Sequence, residues 1–390
     1  MKVLYIASGD AKYGASKAIM PIIKKLKDEK KITPVVVTKK HNEFNDYCDA
    51  QKIENYSCFY NDIMAGSPYN SKILGTMKHI VKYMLFLAGS ITKYFNEPGI
   101  DWKSIDLIHV NHNRIDIGYY WAKKYKIPCI CHIREFGQED YNVVYYKRNC
   151  IEYMNDACQN FIAISDAVKD SWVKKGIKRD YIQVLYDGVD SYQYICDKNK
   201  EKGNIKIAMV GHIQPNKGQH IVIDAIGKLP ADIRNKIHVD FIGEAYKDYM
   251  KELNDKIKTQ GIEENISFLG YVKNVNQRLR DYHIGINASK SEGFGLITVE
   301  YMMSRLIVVA SDSGANREII EDEVTGLLYR YGDAQALAGK IEKAITLWEE
   351  NSNMMDKARE NAIKRFDASI VAEQVYRYYL RKEKMVSCRK

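Results

Sequence analysis

Short apolar runs alternate along the chain with segments of helical period. Runs at 3–7, 34–38, 107–110, 128–133, 161–164 and 181–185 occupy the first half; runs at 205–210, 239–242, 266–269, 284–287, 307–310 and 326–329 occupy the second. Most are continuous rather than alternating, the mark of strands covered on both faces, as in parallel sheets. Between them Ile19, Ile22, Ile23 and Leu26 fall at i, i+3, i+4 and i+7, with lysines on the other face. Pro21 interrupts that stripe and predicts a kink or a late helix start. Ile73, Met77, Ile80 and Met84 form another stripe within 72–95, and a further helical run covers 370–380. Repeated strand–helix alternation predicts α/β layers with right-handed crossovers.

A polar stretch from Asp197 to Asn204, containing Gly203, separates the two strand series. The expected organisation is one domain over 1–197, a second over 198–367, and a C-terminal helix with a basic tail over 368–390. No fixed-period repeat or low-complexity segment is evident.

With 390 residues and 46% hydrophobic content the chain has material for more than one core. That composition excludes disordered and collagen-like classes. Eight cysteines without a CxxC pair make neither a disulfide scaffold nor a zinc site, and Cys129 and Cys131 read as core packing. The opening MKVLYIASGD predicts a buried first strand; its apolar run falls short of a signal-peptide core. The most membrane-like stretch, 83–92, is far below the ~18–20 residues of a spanning helix. The expectation is a cytosolic protein with reduced thiols.

The net charge of +9 is unevenly spread. Residues 12–40 carry nine lysines against Asp28 and Glu29, a net +7; residues 377–390 carry six basic residues against Glu383, a net +5. The remainder is slightly acidic, unlike a nucleic-acid binder. The two patches read either as solvated helix faces or as an anionic-surface contact, and the second gains only if they meet in space.

Three loops follow predicted strands and could carry chemistry. The first, Gly9 to Lys17, lacks both the Walker A spacing, because Ala15 follows Gly14, and a G-x-G-x-x-G fingerprint. It reads as a small-residue turn opening onto a helix N-terminus, or as a plain tight turn. The second, Gly211 to Gln219, puts Lys217 at the carboxyl end of a strand, where α/β sheets bind ligands; a solvated surface lysine is the other reading. In the third, Gly293 and Gly295 free the backbone to approach a ligand, and a helix beginning near Leu296 aims its amides there. Glu292 and Glu300 bracket that turn; carboxylates suit neutral polyols, although either could be a solvated acid.

Together these segments resemble the retaining glycosyltransferases of the GT-B fold, family 4. Glu292 to Glu300 matches the family's E-x7-E motif, Gly211 to Gly218 its G-x5-K-G loop, and Ser313-Gly314-Ala315-Asn316-Arg317-Glu318 looks like its Gly-Gly-x-Pro-Glu turn. In the first half YGASKAIM, IPCICHIREFG, FIAISDAV and VLYDGVD resemble further family segments in the same order. The resemblance implies two Rossmann-like doubly wound domains facing across a cleft, with the last helix crossing back to the first domain. It also implies roles. Lys217 would hold the donor diphosphate, and Gly293 with the backbone of Phe294, Gly295 and Leu296 would bind phosphate and sugar. Glu300 would bind ribose, Glu292 a sugar hydroxyl, and His132 the sugar from the other domain. Gly14 would let the first loop approach the donor, His212 would lie beside the diphosphate, and Tyr271 and Val272 would face the nucleobase.

The implied reaction is metal-independent, retaining transfer from a UDP- or GDP-sugar to a saccharide or polyprenyl-diphosphate-saccharide, in bacterial cell-surface polysaccharide assembly. No cofactor and no D-x-D triplet is expected. An anionic membrane surface at the inner leaflet is a further expected partner, with nucleic acid excluded. A hydrolase or epimerase of the same fold, and a silent scaffolding homologue, are the alternatives. Three departures stand out. His212 replaces the usual Arg, leaving Arg317 or Arg134 as candidate substitutes; Asp187 replaces an Asn, and Asn316 a Pro.

Overall fold

The computed structural model describes residues 1–7, 14–66, 72–92, 95–194 and 203–387. The chain forms two compact units, Met1–Gly188 together with Ala368–Lys390, and Val189–Asp367. Most of the polar stretch that suggested a boundary lies outside the described residues; the units part ahead of it, at Gly188/Val189.

The first unit contains strands β1 (Lys2–Ala7), β2 (Thr33–Thr38), β3 (Glu54–Ser57), β4 (Met64–Ala65), β5 (Leu107–Val110), β6 (Cys129–Ile133), β7 (Val144–Tyr145), β8 (Phe161–Ala163) and β9 (Ile182–Val184). Seven form a parallel sheet in the order β3-β2-β1-β5-β6-β8-β9, while β4 and β7 make a small antiparallel ribbon. The second unit contains β10 (Ile205–Val210), β11 (Ile237–Ile242), β12 (Ile266–Gly270), β13 (Ile284–Asn287), β14 (Ile307–Ser311) and β15 (Leu327–Tyr329). These are parallel in the order β12-β11-β10-β13-β14-β15. In each unit the order reverses beside the first strand, so β1/β5 and β10/β13 are the topological switch points where such sheets bind ligands.

All twelve predicted runs are strands, within a residue or two at their ends. The sequence reading misses β3, β4 and β7. Strand β3 reads ENYS, a polar edge segment with no apolar run, and the other two span two residues each. Pro21 does not delay the first helix, which runs Gly14–Asp28 with the proline inside.

The C-terminal helix, Ala368–Ser387, belongs to the first unit. Its Val371, Ala372, Val375, Tyr378 and Tyr379 complete the core formed by Ile19, Ile22, Ile23 and β1. Lys31 Nζ lies 2.7 Å from Glu373. Glu373 also holds Arg377 at 2.7 Å, so the two basic segments meet on one unit across this shared carboxylate. The six described cysteines are buried free thiols.

Candidate active site

The site in the second unit is assembled by the loops after β10 and β13. Gly218 has φ +79°, and a Cβ there would sit 2.2 Å from the Ala288 carbonyl oxygen, so only glycine permits the two loops to touch. The Lys290 amide donates to the Asn216 carbonyl at 2.8 Å, fixing the same contact. This brings Lys217 Nζ to 3.2 Å from Glu292 Oε2 and 3.3 Å from Ser289 Oγ. Ser289 Oγ lies 2.9 Å from Glu292 Oε2, and Asn287 Nδ2 donates to that oxygen at 3.3 Å. Burial would raise the Glu292 carboxyl. The Lys217 ammonium, with the Ser289 and Asn287 hydrogen bonds, outweighs it and holds the group below the usual carboxylate range.

Gly295, at φ +91° and ψ +50°, caps the helix Leu296–Met303. A Cβ on it would approach Glu292 Cγ, Thr298 Oγ1 and Asn316 Oδ1 at 3.2–3.3 Å. Lys217, Glu292 and the start of this helix are thus contiguous around one carboxylate. The first-turn amides of a helix have no intrahelical acceptor and carry the positive end of its dipole, a natural seat for an anion.

A buried polar network supports the turn from below. Asn287 Nδ2 donates to Thr298 Oγ1 at 2.8 Å, Thr298 Oγ1 to Asn316 Oδ1 at 3.0 Å, and Asn316 Nδ2 to the Ser311 carbonyl at 3.1 Å. Gly314, at φ +55°, lets the 313–318 turn lie against Glu292: a Cβ would come within 2.3 Å of the Glu292 carbonyl oxygen. The Ala315 amide donates to that oxygen at 2.9 Å. Asn316, which departs from the resembled pattern, is therefore a completely buried member of the scaffold.

Other predicted donor-site residues are distributed differently. Glu300 is only 2% exposed and takes a hydrogen bond from the buried Tyr194 hydroxyl, a partner the sequence reading does not anticipate. Burial, then the Glu300 charge, push the Tyr194 phenol far above its ordinary value, so it stays a donor. The Phe294 side chain packs on Phe366, with ring centroids 5.4 Å apart, leaving its backbone for the turn. Gly293 and Leu296 are half-buried. His212 is exposed, on the loop after β10, and Tyr271 and Val272 follow β12, with Tyr271 exposed. Arg317 is exposed and paired with Asp312 at 2.9 Å.

In the first unit the candidate histidine lies on β6, one strand beyond the β1/β5 switch point. His132 is 1% exposed. Arg134 Nη2 lies 3.1 Å from its Nδ1, and its Nε2 is buried with no hydrogen-bond partner among the described residues. A guanidinium can only donate, so Nδ1 is the acceptor and the proton sits on Nε2. Burial, then the Arg134 charge, hold the imidazole well below 6.5, in the neutral form. Arg134 is anchored by Asp187 at 2.6 Å and by the Asn111 carbonyl and Oδ1 at 3.1 and 2.9 Å. Asp187 thus stands where the resembled pattern has Asn because a buried arginine faces it. Asn111 Nδ2 reaches the Ala15 carbonyl at 3.1 Å, tying the start of the helix at Gly14 to this cluster. The loop from Gly9 to Tyr13 lies outside the described residues.

Sequence reasoning misses Tyr194, Asn111 and the roles of Ser289, Asn287 and Thr298. Asn287, Ser289 and Thr298 sit at strand ends or in the Gly-Phe-Gly helix turn, which is the signal that could have found them. Tyr194 has none, because its partner is 106 positions away.

Comparison with known proteins follows this division of the chain. The model for glycosyltransferase family 4 matches residues 77–192, and that for glycosyl transferases group 1 matches residues 193–365. The chain is 21% identical over 327 residues to an uncharacterized glycosyltransferase of Methanocaldococcus jannaschii, covering 77% of this chain and 81% of that one. It is 26% identical over 229 residues to a phosphatidyl-myo-inositol mannosyltransferase of Mycobacterium leprae, covering 56% of this chain and 58% of the relative. An uncharacterized 41.2 kDa protein from the cps region of Klebsiella pneumoniae is 26% identical over 220 residues, 53% of this chain and 58% of its own. The match thus spans little more than half the length of several curated relatives. Among solved structures, Anabaena HepE in complex with UDP and glucose superposes with a TM-score of 0.75 at 22% identity, covering 97% of this chain and 99% of that one. S. aureus TarM in complex with UDP and a GlcNAc-glycerol gives 0.73 at 14% identity, with 97% and 99% covered. Two parallel-sheet α/β domains with a returning helix, and two abutting family matches spanning 77–365, make this chain a member of glycosyltransferase family 4 with the GT-B fold.

Proposed function

We propose that the protein transfers a sugar from a nucleotide-diphosphate-sugar to a saccharide or lipid-linked saccharide, with retention and without a metal. The observation that carries this reading is the contiguity of Lys217, Glu292 and the helix start at Gly295. Departure of the diphosphate builds negative charge on its oxygens and positive charge on the anomeric carbon. Lys217 and the first-turn amides meet the former with preorganised charge in a partly buried site. As the diphosphate takes Lys217, Glu292 is released to accept a hydroxyl of the sugar. Glu300 binds the ribose, in exchange with Tyr194. His132 offers its Nε2–H to the sugar, and Tyr271 and Val272 border the base. The bond from the anomeric carbon to the phosphate oxygen breaks. That oxygen takes the proton of the acceptor hydroxyl, and the new bond forms on the same face.

The names of similar proteins support the substrate classes. HepE is described with UDP-glucose, favouring UDP over GDP here, and the mannosyltransferases are named for a phosphatidyl lipid acceptor. The relative from a cps region favours a cell-surface polysaccharide pathway. The adjoining basic segments of the first unit favour attraction to the anionic inner leaflet. A thermal-shift panel of UDP- and GDP-sugars, followed by mass spectrometry of reactions with lipid-linked acceptors in EDTA, tests the reading. A glycosylated product formed in EDTA supports it. Donor consumption without a glycosylated product would make the protein a hydrolase or epimerase, and no stabilisation by any nucleotide would make it a scaffold.

A further inference from the structure

The helix Lys72–Thr92 turns its apolar stripe outward. Met77, Ile80, Val81, Met84, Leu85 and Ile91 recur at i, i+3, i+4, i+7, i+8 and i+14 and are 48–65% exposed. The opposite stripe faces the body. His79 meets the Tyr146 hydroxyl at 3.0 Å, the Phe86 ring lies 6.1 Å from that of Tyr146, and Gly89 is pressed on Asn61. Of the sixteen large apolar side chains that are exposed among the described residues, nine fall within 77–95. Phe95 is 87% exposed, and Phe59 adjoins through the Asn96–Phe59 hydrogen bond, with Lys39 Nζ 6.0 Å from its ring. A patch of this kind calls for a covering partner.

We infer that this face inserts into the headgroup–acyl boundary of an anionic bilayer. No described helix is long and apolar enough to cross one, so the helix lies in the interface plane. Charge selects lipid over a second copy of the chain. Residues 72–92 include three lysines and neither Asp nor Glu, and Lys39 stands beside Phe59 at the edge of the patch, so a second copy would bring the same net positive charge against it. Anionic headgroups complement them. Position agrees as well. Tyr146 donates its amide to the Ile63 carbonyl, the Ile63 amide donates to the Arg114 carbonyl, and Arg114 grips Glu135, the residue after Arg134. The helix is thereby tied, contact by contact, to the strand ends around His132. A bilayer against it would present a lipid-linked acceptor next to that cluster.

This deepens the membrane part of the function proposed above and rests on it. The test uses the full chain with vesicles of phosphatidylglycerol and phosphatidylcholine, and with phosphatidylcholine alone. Met84→Trp is expected to shift its emission to the blue and to be quenched by lipids brominated on the acyl chain, on anionic vesicles only. Ile80→Gln/Met84→Gln, at exposed positions, is expected to weaken vesicle binding by about tenfold or more while nucleoside-diphosphate binding in vesicle-free buffer is unchanged. Binding that survives this double substitution and is abolished by salt overturns the insertion but leaves the electrostatic membrane reading intact. A dimer in solution that the same substitutions dissociate makes a second copy the occupant and also overturns it. Absence of vesicle binding overturns both membrane readings; nucleotide binding judges the sugar-transfer reading separately.

Discussion

Lys217 Nζ lies 3.2 Å from Glu292 Oε2, so the cation assigned to the diphosphate and the carboxylate assigned to the sugar neutralise each other in this structure. The pair stores both groups at the site in ionised form, and donor binding exchanges partners rather than creating new charge. Lys217→Ala is expected to lower turnover by roughly 10²–10³, as for loss of a charge-stabilising donor, while circular dichroism stays near wild type and melting falls only by what Glu292 loses with its cation. Near-normal transfer by this variant would remove Lys217 from the mechanism.

The same pair gives a pH dependence with a definite sign. The folded Glu292 carboxyl titrates below its ordinary range. Its contribution to stability is therefore full above the unfolded carboxyl value near ~4.3 and is lost as the pH falls through the folded value. Glu292→Gln is expected to be less stable than wild type at pH 7, with the gap closing towards pH 3. Urea unfolding at both pH values measures it, and a gap independent of pH contradicts the assignment.

Arg134 is expected to fix the His132 tautomer. Nitrogen-15 NMR of labelled histidine should find His132 neutral and protonated on Nε2 at acidic pH values where a free imidazole is already charged. Arg134→Met alone leaves Asp187 as a buried unpaired charge, a loss of about 3–5 kcal/mol. Arg134→Met/Asp187→Asn removes both charges and should recover much of that stability. It should nevertheless show a mixed tautomer, a His132 pKa moved back towards 6.5, and reduced transfer. Full transfer by a protein with a mixed tautomer would limit Arg134 to structure.

Asn316 tests the scaffold under the turn. Asn316→Ala strands the Thr298 hydroxyl and the Ser311 carbonyl and is expected to cost about 1–3 kcal/mol in denaturant unfolding. Asn316→Pro, although it restores the residue of the resembled family, also deletes the amide that reaches the Ser313 carbonyl and should cost at least as much. A neutral Asn316→Pro would mean the network is dispensable.

The legible part of the fold was the part written as continuous apolar runs, because strands covered on both faces admit little else. Strand β3 escaped because an edge strand such as Glu54–Ser57 need not be apolar. The outward stripe of residues 77–91 could be seen as a helix but not oriented, since periodicity says which residues share a face and not what that face meets. At the site, the Lys217 and Glu292 loops were legible from glycine spacing. The reason two other glycines matter was not legible: Gly218 and Gly314, read only as motif positions, each allow one loop to approach another where a Cβ would block it. The arginine left open as a substitute near His212 was not legible. Arg134 and Arg317 each already hold a carboxylate, Asp187 and Asp312, contacts far apart or oriented in ways spacing does not reveal.

His212 is exposed on the loop that carries Lys217, where the resembled family has Arg. His212→Arg is expected to retain or raise activity and to flatten the acid-side pH profile, because guanidinium does not titrate in that range. Kinetics across pH 5–8 measure it. An inactive but folded His212→Arg protein would assign His212 another task.

The central claim is that Lys217 and the amides at the start of the helix after Gly295 grip one diphosphate. A crystal structure with a bound nucleoside diphosphate tests this most directly. The account predicts phosphate oxygens within about 3 Å of both Lys217 Nζ and the Gly295–Leu296 amides, with the Lys217–Glu292 pair opened. A diphosphate seated elsewhere, with that pair intact, contradicts it.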